Sequence, residues 1–284
     1  MLRPTDDAVA PATRDDVTTM MPQPPPRPDL DASPVPVVAD ELRPPVTWSV
    51  WEAVLAYVVV GIVLAQAIVG GVLVAVLSVD LTAGAADGPA VALTIAVDVV
   101  TVIGLAAWLQ WRHPGWLRTL WIPPVGARFR ALATGYGLGI VLYVVVAFIV
   151  GAALTLLFRA MFGEDVTAPE QLSSNLSALG KVGATLLAIV VAPVTEEFFF
   201  RGMLFRSVRD RWGFWVGAVS SSLLFGLAHY VASPWRDALL LQTVMVVTGL
   251  GLCWIYERRG TIVANIGAHM AFNTIGLLLI LAAR

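Results

Sequence analysis

The chain has 284 residues, of which 58% are hydrophobic and only 13% charged, and its formal net charge is -2. The mean hydropathy of +0.79 is far above that of a soluble globular domain, so the composition predicts an integral membrane protein. It excludes nucleic-acid binding, because there is no basic tract to neutralise phosphates. The single cysteine, Cys253, excludes a disulfide framework or a cysteine-based metal site within one chain.

The first 46 residues form a proline-rich acidic segment. Up to residue 45 they hold 11 of the 18 prolines, and eight Asp or Glu against four Arg. Such a segment buries too little apolar surface to fold, so we predict a disordered tail over 1–46. Its start has no apolar run of the length that a secretory signal needs, and a cleaved leader is not expected.

Long apolar runs separated by short charged links follow Thr47. Each run is long enough to cross about 30 Å of hydrocarbon as a helix. The pattern predicts an all-α, polytopic membrane bundle of about seven helices, or eight if the glycine-containing first run forms two. The expected spans are 48–78, 88–111, 131–158, 181–205, 213–231, 236–256 and 261–282. We group the first helices and the following link as 47–129, and the later helices as a core over 130–284.

The links carry an uneven distribution of arginine. Links 112–130, 206–212 and 257–260 are arginine-rich, whereas link 80–90 has no basic residue and link 163–170 is acidic. All three basic links fall on one side of a seven-span chain. The positive-inside rule then predicts a multi-pass plasma-membrane protein with a cytoplasmic N-terminus and an external C-terminus.

Ionisable and amide side chains are concentrated in three late spans. An ionisable residue in a spanning helix costs about 2.5–3.5 kcal/mol on insertion scales, so it normally faces a cavity and has a purpose. These residues are Glu196, Glu197 and Arg201 in the fourth span, His229 in the fifth, and Asn265, His269 and Asn273 in the seventh.

The spacing of these residues separates two roles. Glu197 and Arg201 are four residues apart, the geometry of an ion pair that neutralises one carboxylate. Glu196 points about 100° away and stays free for chemistry. The seventh span has a polar residue at every fourth position, so one of its faces must contact protein or water. A free carboxylate, two imidazoles and an amide are groups suited to hydrolysis, with the Glu as base and His or Asn as oxyanion donors.

Each of these residues also has a structural interpretation. A Glu–Arg pair in a membrane helix can be a lock, and a lone histidine such as His229 can simply bond neighbouring helices. Pro193 is expected to kink the helix just before the carboxylates. Asp98, near the middle of the second span, could pair with an arginine, line the same cavity or modulate its protonation, and a structural role is favoured over a catalytic one.

Three motifs, "EEFFFR", "FGLAH" and "HMAFN", occur in this order within residues 130–282. They resemble the motif set of the CAAX-protease and bacteriocin-processing (Abi) family of intramembrane proteases, which is related to the CAAX prenyl endopeptidase. The resemblance implies an intramembrane endopeptidase with residues 130–284 as its protease core and a membrane-associated protein or peptide as its substrate. It implies water activation by Glu196 and His229, support by Glu197 and Arg201, and oxyanion stabilisation by His269 and Asn273.

The resemblance leaves the metal question open. The family is often classed with metalloproteases, and His229, His269 and a glutamate would give a three-ligand zinc site. The chain has no H-E-x-x-H motif, and a metal-free glutamate enzyme is favoured over the zinc alternative. The alternative to an enzyme is a membrane immunity or assembly protein in which the same residues lock the bundle.

One expectation conflicts with a shared site. Counted from the cytoplasmic ends of the expected spans, Glu196 and His269 lie about 12–15 Å deep, whereas His229 lies nearer to about 25 Å. A common site therefore requires the fifth helix to tilt or to begin inside the membrane.

Overall fold

Helices make up most of the described chain. The computed structural model describes residues 44–77, 88–120, 122–163, 166–169 and 177–282. All of them belong to one compact unit, Val37–Arg284. The helices are α1 (50–77), α2 (Gly88–Arg112), α3 (Val125–Phe162), α4 (Ala178–Trp212), α5 (Phe214–Ala228), α6 (Trp235–Arg259) and α7 (Ile262–Ala282). These ranges contain no β-strand, and the all-α polytopic bundle is confirmed. The tail up to residue 43, residues 80–87 of link 80–90 and residues 164, 165 and 170 of link 163–170 lie outside the described residues.

The lengths of the helices correct the expectation of seven full spans. Six of the helices in the described ranges are long and apolar enough to cross a membrane, and α5 is not. With 15 residues, α5 reaches about 22 Å, short of the roughly 30 Å that a span needs. The expected link 206–212 is also wrong, because it forms the last turns of α4, where Arg206 and Asp210 pair at 3.4 Å. The first run is one helix.

The arginine-rich segments meet at one end of the bundle. Arg206 is buried and donates to the carbonyl oxygens of Thr119 and Pro44, both at 3.0 Å. Arg209 pairs with Glu257 at 2.7 Å. Segments that are distant in sequence are thereby joined around the C-terminal end of α4, and we call this end of the bundle the arginine-rich end.

The turn between α4 and α5 places two of the candidate residues at one level. Gly213 has φ +84°, a left-handed conformation that glycine adopts readily, and it reverses the chain within one residue. Glu196 precedes Trp212 by 16 residues, and His229 follows Phe214 by 15. Both residues therefore lie equally far from the turn. The expected difference in depth between Glu196 and His229 was wrong, because the fourth span was ended at residue 205 instead of 212 and Glu196 was therefore placed too near its end.

Helices α3 and α7 run parallel and approach each other closely. Gly135 lies against the backbone of Ala264, and Gly139 lies against that of Ala268, so a Cβ atom at either glycine would overlap a carbonyl group. Small residues four apart allow this approach, as in other membrane helix pairs. The contact fixes the rotation of α7, and its adjacent face, with Asn265, is turned towards α4.

We expect Gly139→Ala to destabilise the protein and Gly137→Ala to leave it as stable or slightly more stable. The first methyl group meets the Ala268 backbone, which costs about 1–3 kcal/mol of overpacking. A methyl at Gly137 meets no atom within 4 Å and improves helix propensity by up to about 1 kcal/mol. Thermal unfolding of the two variants in detergent measures the difference. Equal midpoints would show that the α3–α7 approach is not tight.

Candidate active site

Glu197 is the centre of a buried polar network. Its side chain is 0% exposed, and its carboxylate accepts from Arg201 Nη1 at 2.9 Å and from His269 Nδ1 at 2.8 Å. Its second oxygen accepts from Asn265 Nδ2. The expected ion pair between Glu197 and Arg201 is therefore present, and two side chains of α7 complete the coordination of the carboxylate.

Arg201 connects this network to two further helices. It is also 0% exposed, and its Nη2 donates to the carbonyl oxygen of Gly249 in α6 at 3.3 Å. Its guanidinium lies 4.4 Å from the ring centroid of Phe225 in α5, within the range of cation–π attraction. One ion pair of α4 is thus in contact with α5, α6 and α7.

Glu196 lies between two imidazole rings. Its Oε2 is 3.7 Å from His229 Nε2 and 3.8 Å from His269 Nε2, and 25% of its side chain is exposed. Both distances exceed a hydrogen bond, and Oε2 has no protein partner in the described chain. The free carboxylate expected from the helix spacing therefore faces both histidines.

The opposite ring nitrogens fix how the histidines are oriented. His229 Nδ1 donates to the Phe225 carbonyl oxygen at 2.7 Å, and His269 Nδ1 donates to the Glu197 carboxylate at 2.8 Å. In the neutral ring, a proton on Nδ1 leaves Nε2 as an acceptor. Each Nε2 can therefore take a proton on the side that faces Glu196, and can donate once the ring is charged.

Asn273 compensates for a hydrogen bond that Pro193 removes. The turn Leu187–Val191 is π-helical, and Ala192 N donates to Leu187 O, five residues earlier. The next bond in this pattern would run from residue 193 to Ala188 O, but proline has no N–H. Asn273 Nδ2 donates to Ala188 O at 2.8 Å instead, and its second amide hydrogen remains for another acceptor.

A cavity joins these groups. It has a volume of about 460 Å³ and is lined by Glu196, His229, His269 and Asn273 among mostly apolar side chains of α4, α6 and α7 and of the segment 166–169. We call it the first cavity. Its volume lies within the range of ordinary ligand sites. Four of the six candidate residues line one cavity, and the other two, Glu197 and Arg201, lie behind it in the buried network.

The sequence predicts no partner for Asn265, and it does not indicate that Gly249 belongs to the network. Asn265 belongs to the recognised polar stripe of α7, but its spacing from His269 could not indicate that both bond Glu197. Gly249 contributes only a carbonyl group to the network, for which the sequence carries no signal.

The zinc alternative requires His229, His269 and a glutamate to form one ligand set. Among the residues that the structure describes, no group of three or more His, Cys, Asp or Glu side chains is arranged to hold a metal ion. Glu196, His229 and His269 lie near each other but are not among any such group.

The fold and the site define a multi-pass membrane protein with a Glu, His and Asn constellation inside the bundle. Residues 178–275 match the family described as Rce1-like, type II CAAX prenyl endopeptidase. The resemblance given by the three motifs is confirmed, because residues 178–275 are similar to the CAAX-endopeptidase type of family.

Three relatives are similar to parts of the chain. An Escherichia coli protein called "Uncharacterized 24.3 kDa protein" is 38% identical over 97 residues, which cover 33% of this chain and 43% of the relative. The "Putative membrane peptidase YdiL" of Bacillus subtilis is 30% identical over 89 residues, 31% of this chain and 34% of the relative. The UPF0177 protein YxdF of Lactococcus lactis is 23% identical over 159 residues, which cover 56% of this chain and 75% of the relative. The first two relatives are matched over less than half of their length. No solved structure is significantly similar to the chain.

We expect the same substitution at the two adjacent glutamates to have different effects on stability. Glu197→Gln leaves Arg201 buried without a counter-charge, which costs about 3–5 kcal/mol. Glu196→Gln keeps the shape of a side chain that no protein group bonds through Oε2, so we expect a change within about 0.5 kcal/mol. Thermal unfolding and accumulation in membranes measure both variants. Equal losses would contradict the separation of the two roles.

Proposed function

We propose that the protein is an intramembrane endopeptidase that hydrolyses a peptide bond in a membrane-associated protein or peptide. The observation that carries the proposal is the position of the Glu196 carboxylate, 3.7 and 3.8 Å from the Nε2 atoms of His229 and His269. A general base must come within hydrogen-bond reach of the water that it deprotonates, directly or through one further water. A single water can bridge a carboxylate and an imidazole at these separations.

The first step is the attack of this water on the scissile carbonyl carbon. Glu196 accepts one proton of the water, and His229 Nε2 accepts a hydrogen bond from it. The new C–O bond forms as the carbonyl electrons move to the oxygen. The C=O bond of the tetrahedral intermediate then re-forms as its C–N bond breaks, and the proton held by Glu196 passes to the leaving amine, directly or through His229 Nε2. General acid–base catalysis of this kind contributes about 10²–10⁴ in rate.

The oxyanion is stabilised from the α7 side of the first cavity. His269 donates through Nε2 when its ring is charged, and the contact of its Nδ1 with Glu197 orients the ring. Asn273 donates through the amide hydrogen that Ala188 does not use. Donors of this kind, held in place before the reaction, each contribute about 10²–10³ in rate. Glu197 and Arg201 position His269 and do not touch the reacting atoms.

The surroundings of the site favour a substrate that enters from the bilayer. The first cavity is mostly apolar, and the described chain forms six helices of spanning length. The arginine-rich end supports a cytoplasmic location for that end and for the N-terminus in the cell membrane. We therefore expect cleavage of membrane-anchored peptides in preference to soluble ones.

We expect Glu196→Gln to reduce cleavage by at least about 10²-fold, because the amide cannot accept the proton of water. The assay is a library of lipid-anchored peptides in proteoliposomes, with products identified by mass spectrometry. Glu52→Gln is the matched control, because Glu52 pairs with His113 near the start of α1 and does not line the first cavity. This control is expected to cleave like the parent protein. Glu196→Gln protein that is folded and fully active would contradict the proposal.

The non-enzymatic alternative makes a different prediction with the same variants. If the polar residues only lock the bundle, the parent protein cleaves no peptide and Glu196→Gln loses folded protein. Cleavage by the parent that is lost in a folded Glu196→Gln variant is incompatible with a lock.

A chelator separates the metal-free mechanism from the zinc alternative. We expect purified protein treated with 1,10-phenanthroline to keep its cleavage rate, because every proton transfer above uses side chains of this chain. Loss of activity that Zn²⁺ restores would contradict the metal-free mechanism. The inactive Glu196→Gln variant gives the background rate in the same assay.

A further inference from the structure

A second cavity adjoins the candidate active site. It has a volume of about 300 Å³, and Glu196 and His229 line both this cavity and the first one. We call it the Asp98 chamber. Its wall includes Tyr57, Asp98, Glu196, Phe199, His229 and Tyr230. The water-activating pair therefore stands at the boundary between two spaces that differ in composition.

Asp98 contributes a carboxylate to the chamber from the middle of α2. Within the described residues Asp98 forms no hydrogen bond or ion pair, so pairing with an arginine, one of the three roles considered for it, is not formed there. Arg201, which does not line the chamber, is bonded to Glu197 and Gly249. A carboxylate in a spanning segment without a counter-charge is costly to insert, and a cationic ligand would offset that cost.

The rest of the chamber also suits a cation. Its aromatic residues include Tyr57, which stacks on Phe199 at a centroid distance of 3.9 Å, and Tyr230. Aromatic faces attract cations, and a nearby carboxylate adds to this attraction. The wall contains no Lys or Arg that would repel one. The first cavity is mostly apolar and has no such carboxylate apart from the shared Glu196.

We propose that the Asp98 chamber binds a basic side chain of the substrate beside the bond that Glu196 hydrolyses. This inference rests on the proposed peptidase function and adds a specificity to it. The apolar segment of the substrate lies in the first cavity, and the basic residue lies across the Glu196–His229 boundary. A lysine or arginine near the scissile bond, within a membrane-anchored peptide, is then the preferred substrate class.

The test uses lipid-anchored peptides of one cleaved sequence in proteoliposomes. Lysine, uncharged norleucine or glutamate replaces each residue within three positions of the scissile bond, and kcat/KM is compared at each position. At one position we expect the kcat/KM of the lysine peptide to exceed that of the norleucine peptide by about tenfold. Asp98→Asn should bring this ratio to about one, and Asp98→Glu should largely restore it. Asp98→Lys should favour glutamate over lysine.

Several outcomes would overturn the proposal. The parent protein could show no preference for lysine at any position, or the preference could survive in Asp98→Asn. The kcat/KM of lysine and norleucine peptides could also fall equally in that variant. If Asp98→Asn does not fold, a photoreactive group on the preferred basic side chain shows which residues that side chain contacts in the parent protein. Labelling of α2 near Asp98 or of Tyr57 supports the proposal, and labelling confined to the first cavity overturns it.

The peptidase function fails separately from this specificity. A parent protein that cleaves norleucine peptides, with no cleavage by Glu196→Gln, supports the peptidase whatever the lysine ratio is. A parent protein that cleaves none of the peptides counts against the peptidase and against the specificity that rests on it.

Discussion

The ion pair between Glu197 and Arg201 is the interaction on which the rest of the site depends. Two fully buried charges are costly unless both are paired and bonded further. Here the carboxylate is bonded by His269 and Asn265 as well, and the guanidinium reaches Gly249 and the face of Phe225. Because these partners come from α5, α6 and α7, the pair is satisfied only when the four helices are assembled. The buried Glu197–Arg201 pair therefore favours the one packing of α4 to α7 in which all of these bonds form.

Glu196 owes its position to that arrangement. It follows Pro193 by three residues and precedes Glu197 directly, so it cannot rotate without moving the buried pair. The widened turn at Leu187–Val191 would leave a carbonyl without a donor, and Asn273 supplies one from α7. The close approach of α3 to α7 fixes the rotation of α7 from its other side. The position of the Glu196 carboxylate is therefore fixed by contacts between neighbouring residues and helices, and not by bonds of the carboxylate itself.

Much of this arrangement follows from local spacing. The apolar runs predicted the all-α bundle, and the spacing of Glu197 and Arg201 predicted their ion pair, because both depend on positions within one helix. What failed or was missed depends on contacts between helices. The helical 206–212 segment follows from the Gly213 turn and the Arg206 contacts, and the bond from Asn265 to Glu197 requires the packing of α7 on α4. Helix spacing gives the face of a residue but not the partner opposite it.

The two adjacent glutamates of one sequence motif lie in different environments. Glu197 is fully buried and has three side-chain partners, so its charge is held in place and is unavailable to a substrate. Glu196 has a quarter of its side chain exposed and faces two imidazole nitrogens that cannot bond it at 3.7 and 3.8 Å. Since Glu196 and His229 line both cavities, an extended peptide that occupies both must pass this carboxylate. In the proposed mechanism, the geometry that frees Glu196 for proton transfer is the same geometry that brings the scissile bond to it.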